Sequence, residues 1–342
     1  MKKVLALTAA LALLGLGNLA QANVINPLVN IETVTVGDAG NAGNALYYGT
    51  FGSVGYNYNI GKYEVTTAQY VNFLNHKAQS DPYGLYNTNM DTANNQYGCN
   101  IIRTGTSGSY SYSVAADWAN RPVNFVSYWD SCRFANWLDN GQGAGSTETG
   151  IYTLGGYTGD FGSWIQRNVG VGGWAVTSLD EWYKAAYYDP NKAGGAGYWL
   201  YPTRSDTAPS NVGADNYTDP GNHANYDAFS YTIGGPYYRT NVGEFENSAG
   251  AYGTFDMAGN VYEWNEAVYQ DQTADWHSIL GGSFDGNAWS LQNSNPGGGM
   301  PSQESGSFGF RLSQVAPVPE PSSLIALFGG FVGLLGVRRR RA

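Results

Sequence analysis

The chain has 342 residues, with 17 Lys and Arg against 27 Asp and Glu, two cysteines and 47 glycines. Aromatic residues make up 15% of it, so material for a packed interior is present and a disordered composition is excluded. The acidic balance and the lack of a basic stripe exclude a nucleic-acid partner.

The chain starts on the positive Met1-Lys2-Lys3. An apolar run from Val4 to Leu16 follows, and then Ala20-Gln21-Ala22 in small-x-small order. This order predicts a secretory leader over 1–22, removed by signal peptidase to leave Asn23 first. The apolar run is too short to span about 30 Å of hydrocarbon comfortably. Residues 1–22 and 317–342 together hold six of the 17 basic side chains and one of the 27 acidic ones. The body, 23–316, therefore carries 11 basic and 26 acidic side chains, a net charge near −15 that suits a soluble extracellular protein or a cation binder. No repeat or long linker divides this body.

Three short helices are predicted within it, each opened by a hydroxyl residue with a carboxylate or amide three residues on. The first has Thr66 as cap and Gln69 as its partner, and runs through Tyr70, Val71 and Leu74. The second has Ser127 and Asp130, runs through Cys132, Phe134, Ala135 and Leu138, and stops at Asn140-Gly141. The third has Ser178 and Glu181, runs through Trp182, Ala185 and Ala186, and ends before Asp189-Pro190. The rest reads as short strands and long Gly-, Asn- and Tyr-rich loops. An oxidising compartment permits one disulfide between Cys99 and Cys132, while a buried free thiol at Cys132 fits the second helix equally well.

Five segments then follow one another in a recognisable order. They are Gly61 to Tyr70 (GKYEVTTAQY), Arg121 to Ser127 (RPVNFVS) and Val176 to Ala186 (VTSLDEWYKAA). Asp256 to Trp264 (DMAGNVYEW) comes next, and then Gly281-Gly282-Ser283-Phe284 with Phe308-Gly309-Phe310-Arg311. From about residue 45 to 313 the chain resembles the formylglycine-generating-enzyme, or sulfatase-modifying-factor, domain. The resemblance implies a single α+β domain, a loop-rich variant of the C-type lectin fold.

In the oxidising members of that family two cysteines hold a copper ion, for which soft thiolates are suited. Counted from Gly281-Gly282-Ser283-Phe284, the matching positions here are Gly286 and Leu291, and no cysteine lies between 281 and 311. No copper is therefore expected, and formylglycine generation is rejected. A related branch uses nonheme iron on histidines, but His76, His223 and His277 are widely separated and form no His-x-x-x-His-x-Glu pattern. His76 is read as a C-terminal helix cap, and His223 and His277 as surface loop residues. Asp180 and Glu181 are read as first-turn residues favoured by the helix dipole.

The resemblance also implies a structural calcium ion held by Asp256, the carbonyls of Gly259 and Val261, and the Glu263 carboxylate. Oxygen donors of this kind suit calcium; the alternative is that Glu263 pairs with a nearby base or caps a turn. A second calcium site would begin at Asn225 and Tyr226, but its downstream acidic partner is not recognisable in this sequence.

At the far end, Val318-Pro319-Glu320-Pro321 leads into an apolar stretch from Leu324 to Val337 and then Arg338-Arg339-Arg340-Arg341. Such a helix stops in the inner membrane with its basic end in the cytoplasm. The order resembles the PEP-CTERM sorting signal of Gram-negative bacteria. It implies export, a transient C-terminal anchor, cleavage by an exosortase, and a final place at the cell surface or outside it. Such systems accompany exopolysaccharide production, so the expected role is a non-catalytic one. In it, exposed Tyr, Trp and Asn meet exopolysaccharide or a cell-surface glycan, or serve the extracellular matrix. An enzyme of the same superfamily using another site is the alternative.

Overall fold

The computed structural model describes residues 28–316, apart from 48, 169, 213–218 and 271–273. The chain first lays down β1 (Thr33–Val36), β2 (Asn44–Leu46), β3 (Gly49–Phe51) and β4 (Tyr58–Gly61), then helix α1 (Thr67–Lys77). Strands β5 (Ile102–Thr104) and β6 (Ser111–Ser113) precede α2 (Tyr128–Asp139), and β7 (Gly173–Val176) leads into α3 (Leu179–Tyr187). After β8 (Tyr188–Asp189) and β9 (Gly197–Tyr198), a long irregular stretch reaches β10 (Tyr262–Gln270) and β11 (Asp275–Leu280). The last strands are β12 (Gly297–Gly299), β13 (Phe308–Phe310) and β14 (Leu312–Val315). The leader 1–22 and the sorting tail 317–342 lie outside the described residues.

The three helices start where the sequence predicts. Thr66, Ser127 and Ser178 accept from the backbone N–H of Gln69, Asp130 and Glu181, whose side chains return the bond to the cap residue's own N–H. Each reciprocal cap contributes about 1 kcal/mol. Helix α2 is buried on every side from Tyr128 to Leu138, which makes it the central helix of the domain. Two of its polar residues make several bonds to the loops around it. Arg133 grips Glu148 at 2.8 and 3.0 Å, and Asn136 donates to the carbonyls of Thr147 and Tyr152 while accepting from the Tyr152 N–H. An amide side chain here does the work of a missing strand neighbour, which is how long loops close without a ladder.

Two four-stranded sheets frame this helix. One has the order β1-β4-β14-β7 and is antiparallel throughout; the other has the order β12-β11-β10-β13, with β10 and β13 parallel. The β10–β11 register slips between Trp264 and Val268. Between the elements lies an aromatic core. The Phe134 ring sits 5.3 Å from Phe73, 5.4 Å from Phe310 and 5.6 Å from Trp137, in tilted or edge-on contacts of the kind aromatic rings prefer.

Cys99 and Cys132 are free, and both are fully buried. The disulfide alternative is therefore not realised, and burial pushes both thiols up from their ordinary range. Cys132 packs within α2 beside Tyr128, as a small apolar residue would.

One polar contact in this interior titrates. Glu304 accepts from Asn87 and shares a hydrogen bond with Asp130, and burial raises Glu304 to about 8 and Asp130 to about 6. A carboxyl raised in the folded state loses stability as pH climbs above its ordinary value, and the loss grows until pH passes about 8. Glu304→Gln is accordingly expected to raise the melting temperature at pH 8 by the equivalent of about 1–2 kcal/mol and to leave it unchanged near pH 4. Calorimetry at both pH values decides; a loss at both would mean that the pair shares no proton.

Candidate functional site

The segment following β11 is shaped by glycines that no other residue could replace. Gly281 and Gly282 have φ of +93° and +77°, and a Cβ on Gly282 would lie 2.5 Å from Leu291 and 2.7 Å from the Ser290 hydroxyl. The turn carries the chain into a single 3-10 turn, Ala288–Leu291, capped by the Asn287 side chain on the Trp289 N–H. Leu291 points inward, wholly buried in a small second core with Tyr201, Ala224, Tyr226 and Ala258. Two residues before it, Trp289 is left 62% exposed.

A second loop closes on this one. The Asp227 N–H donates to the Gly286 carbonyl at 2.7 Å, and Tyr226 is pinned by its hydroxyl on the Pro209 carbonyl and by Thr232 on its N–H. The chain then turns out so far that the Phe229 ring is fully exposed. Between the loops lies an open cleft of about 910 Å³, walled by Tyr226, Phe229, Tyr262 and Trp289 and carrying the carboxylates of Asp227 and Asp285. Asp285 is held in place by the hydroxyls of Ser283 at 2.6 Å and Ser307 at 2.8 Å. The Asp227 Oδ1 atom is buried and has no hydrogen-bond partner among the described residues. Among the described residues no Lys, Arg, His or Cys lines the cleft. The arrangement offers aromatic faces and fixed carboxylate oxygens.

The positions assigned by resemblance to the copper cysteines are thus brought together at this cleft, as Gly286 on its wall and Leu291 beneath it. None of Phe229, Trp289, Asp227 and Asp285 is marked by a sequence motif. The available signal was that Gly286 and Leu291 bracket a tryptophan in a polar Asn-Ala-Trp-Ser stretch.

The expected calcium donors are placed differently. Both oxygens of Glu263 are filled: the Arg311 guanidinium donates to Oε1 at 2.8 Å and 3.2 Å and to Oε2 at 3.0 Å, and the Trp182 indole N–H donates to Oε2 at 2.7 Å. Three N–H groups occupy this carboxylate, the Arg311 Nε–H shared between its two oxygens, and the adjacent guanidinium would repel a cation. Asp256 accepts from the Gly243 N–H, and the Gly259 N–H donates to the Gly281 carbonyl. The Val261 N–H reaches Glu64. The Glu263 carboxylate is thus engaged by protein donors, and among the described residues there is no group of three or more His, Cys, Asp or Glu that could hold a metal. Of the second pair, Asn225 has a buried, unpartnered Oδ1, while Tyr226 is committed to the loop contacts above.

The histidines also need correction. His223 and His277 are not surface residues but are buried, His223 beside Asp219 at 3.2 Å and His277 stacked 3.7 Å from Tyr128. Burial lowers His277 to about 4, so it is neutral at physiological pH. His76 does sit in the last turn of α1, its ring on the Asn72 carbonyl.

Residues 53–316 match the family model of the sulfatase-modifying factor enzyme 1-like domain. The chain belongs to that family. Residues 317–341 match the PEP-CTERM protein-sorting motif, which makes this family member an exported protein with a sorting tail that an exosortase processes. Among the described residues no helix is long and apolar enough to cross a membrane, and Val318-Pro319-Glu320-Pro321 and Arg338 to Arg341 lie outside them. Among solved structures the fold is similar to CarF (TM-score 0.52, 20% identity, 85% of this chain and 100% of that one). It is also similar to Treponema denticola variable protein 1 (TM-score 0.51, 17% identity, 82% of this chain and 94% of that one). These likenesses agree with the single-domain, C-type-lectin-like α+β fold. No curated protein matches the chain.

The Arg311–Glu263 pair, wholly buried, yields a direct test. Arg311→Met would leave a carboxylate uncompensated in the interior and is expected to cost at least about 3 kcal/mol. Urea unfolding of the purified variant measures this, and a loss under about 1 kcal/mol would show the pair to be dispensable.

Proposed function

We propose that this exported family member is a non-catalytic, lectin-like protein that binds glycan in the cleft between Phe229 and Trp289, at the cell surface or in the matrix outside it. The observation that carries this reading is the pair of exposed aromatic faces set across fixed carboxylate acceptors. A sugar presents apolar C–H faces that stack on such rings and hydroxyls that donate to such oxygens. A soluble protein rarely leaves rings of this size uncovered beside a cleft without a ligand to cover them. The sorting tail supports exopolysaccharide as the partner, since it delivers the domain to where that polymer lies.

An oxidase role is unsupported by the same cleft. Its two expected copper positions hold Gly286 and Leu291, and the two thiols of the chain are buried elsewhere with their pKa raised. The thiolate that would bind copper is therefore disfavoured.

Binding of the mature protein to soluble polysaccharide from the exporting cell, followed by affinity electrophoresis, tests the reading. Trp289→Ala is expected to weaken binding by about 2 kcal/mol, close to 30-fold, with an unchanged melting temperature. No retardation of the unaltered protein would end the glycan reading. Incubation with a Cys-x-Pro-x-Arg peptide and copper is expected to give no formylglycine, and turnover there would overturn the non-catalytic part.

A further inference from the structure

Resting on the glycan reading, we infer that the cleft selects by charge: it takes sugars bearing free amino groups, tolerates neutral sugars, and rejects uronic-acid polymers. Two features of the cleft point the same way. Among the described residues its only charged side chains are Asp227 and Asp285, with no Lys, Arg or His on its walls to balance them. Asp285 is fixed as an acceptor, because the Ser283 and Ser307 hydroxyls both donate to it. Asp227 lines the same cleft, so two acidic side chains share it.

A ligand ammonium suits this acidic cleft, since it brings a positive charge and three N–H donors. A neutral sugar hydroxyl supplies the donor but not the charge. A uronate brings a third carboxylate into a cleft that already holds two, within a body of net charge near −15, and like charges at this range repel. The rings of Phe229 and Trp289 serve all three ligand classes alike, which separates stacking affinity from charge selection. The Trp289 face also suits a cation, since indole is the best of the aromatic partners for one.

Titration calorimetry of the mature protein at low ionic strength and pH 6 tests this with three probes: glucosamine hexamer, N-acetylglucosamine hexamer and galacturonate hexamer. The expected order is glucosamine about tenfold tighter than the acetylated oligomer, with no binding of galacturonate. Asp227→Asn is expected to bring the first two together and to leave binding of the acetylated oligomer in place. Glu246→Gln, an exposed carboxylate that does not line the cleft, is expected to keep the preference, which excludes attraction by net charge alone. Equal binding of the two glucosamine probes, or a preference that survives Asp227→Asn, overturns the charge inference and leaves glycan binding standing. Binding of galacturonate, or binding abolished by EDTA, overturns it in favour of a metal-bridged site. Failure of all three probes removes both readings.

Discussion

A single guanidinium holds the two sheets of this domain together. Arg311 is the one residue between β13 and β14, the point where the chain leaves one sheet and enters the other. It donates to Glu263 on β10, to the Gly61 carbonyl at the end of β4 and to the Phe255 carbonyl, while Trp182 of α3 closes the far side of the Glu263 carboxylate. Removing both charges from water is expensive, and only a fully hydrogen-bonded pair offsets it. The neighbourhood is short of positive charge, because Glu64 and Asp256 are buried nearby and both are raised above the ordinary carboxylate range, Asp256 to about 6. Arg311 is thus the cation around which this acidic interior is organised, in the place where calcium was expected.

That constraint positions the cleft. With β10 and β13 locked in parallel, the segments before β10 and after β11 start from fixed ends, and the glycine turn at 281–282 brings Gly286 up against Asp227. The second small core under Leu291 then acts as a floor. A cysteine at either position would change this local packing. At Gly286 an added Cβ would meet the Ser290 hydroxyl at 2.7 Å, and at Leu291 a smaller side chain would leave a void among Tyr201, Ala224 and Tyr226. Gly286 and Leu291 are structural parts of the cleft's wall and floor.

Much of the rest of the chain is irregular, and side chains take up many of its backbone carbonyls. Arg167 spans Glu181 and Glu266, and Asn124, Asn136 and Asn140 each donate twice to loop carbonyls. Abundant Asn, Gly and Tyr is the composition such a fold needs. Glycine permits the turns, the amides replace ladder bonds, and the phenols fill core space while keeping a polar end.

The helices were legible in the sequence because a capping box is local: the cap and its partner lie three residues apart and select each other without outside help. The family was legible because five separated segments kept their order, and the sorting tail because its motif, apolar stretch and basic cluster follow one another as linear features. What lay beyond reach depended on partners distant along the chain. Glu263 reads as a calcium ligand or an ion-pair partner until Arg311, 48 residues away, is seen on it. His277 reads as a loop residue until β11 places it against Tyr128, and the two cysteines leave a disulfide open until the fold buries each one alone. The cleft is the extreme case, since Phe229 and Trp289 are ordinary aromatics in sequence, and only the closure of two loops leaves their faces uncovered. Local chemistry could be read in order along the chain; which carboxylate meets which cation, and which ring meets water, was decided by tertiary packing, because burial and charge pairing are properties of neighbours in space.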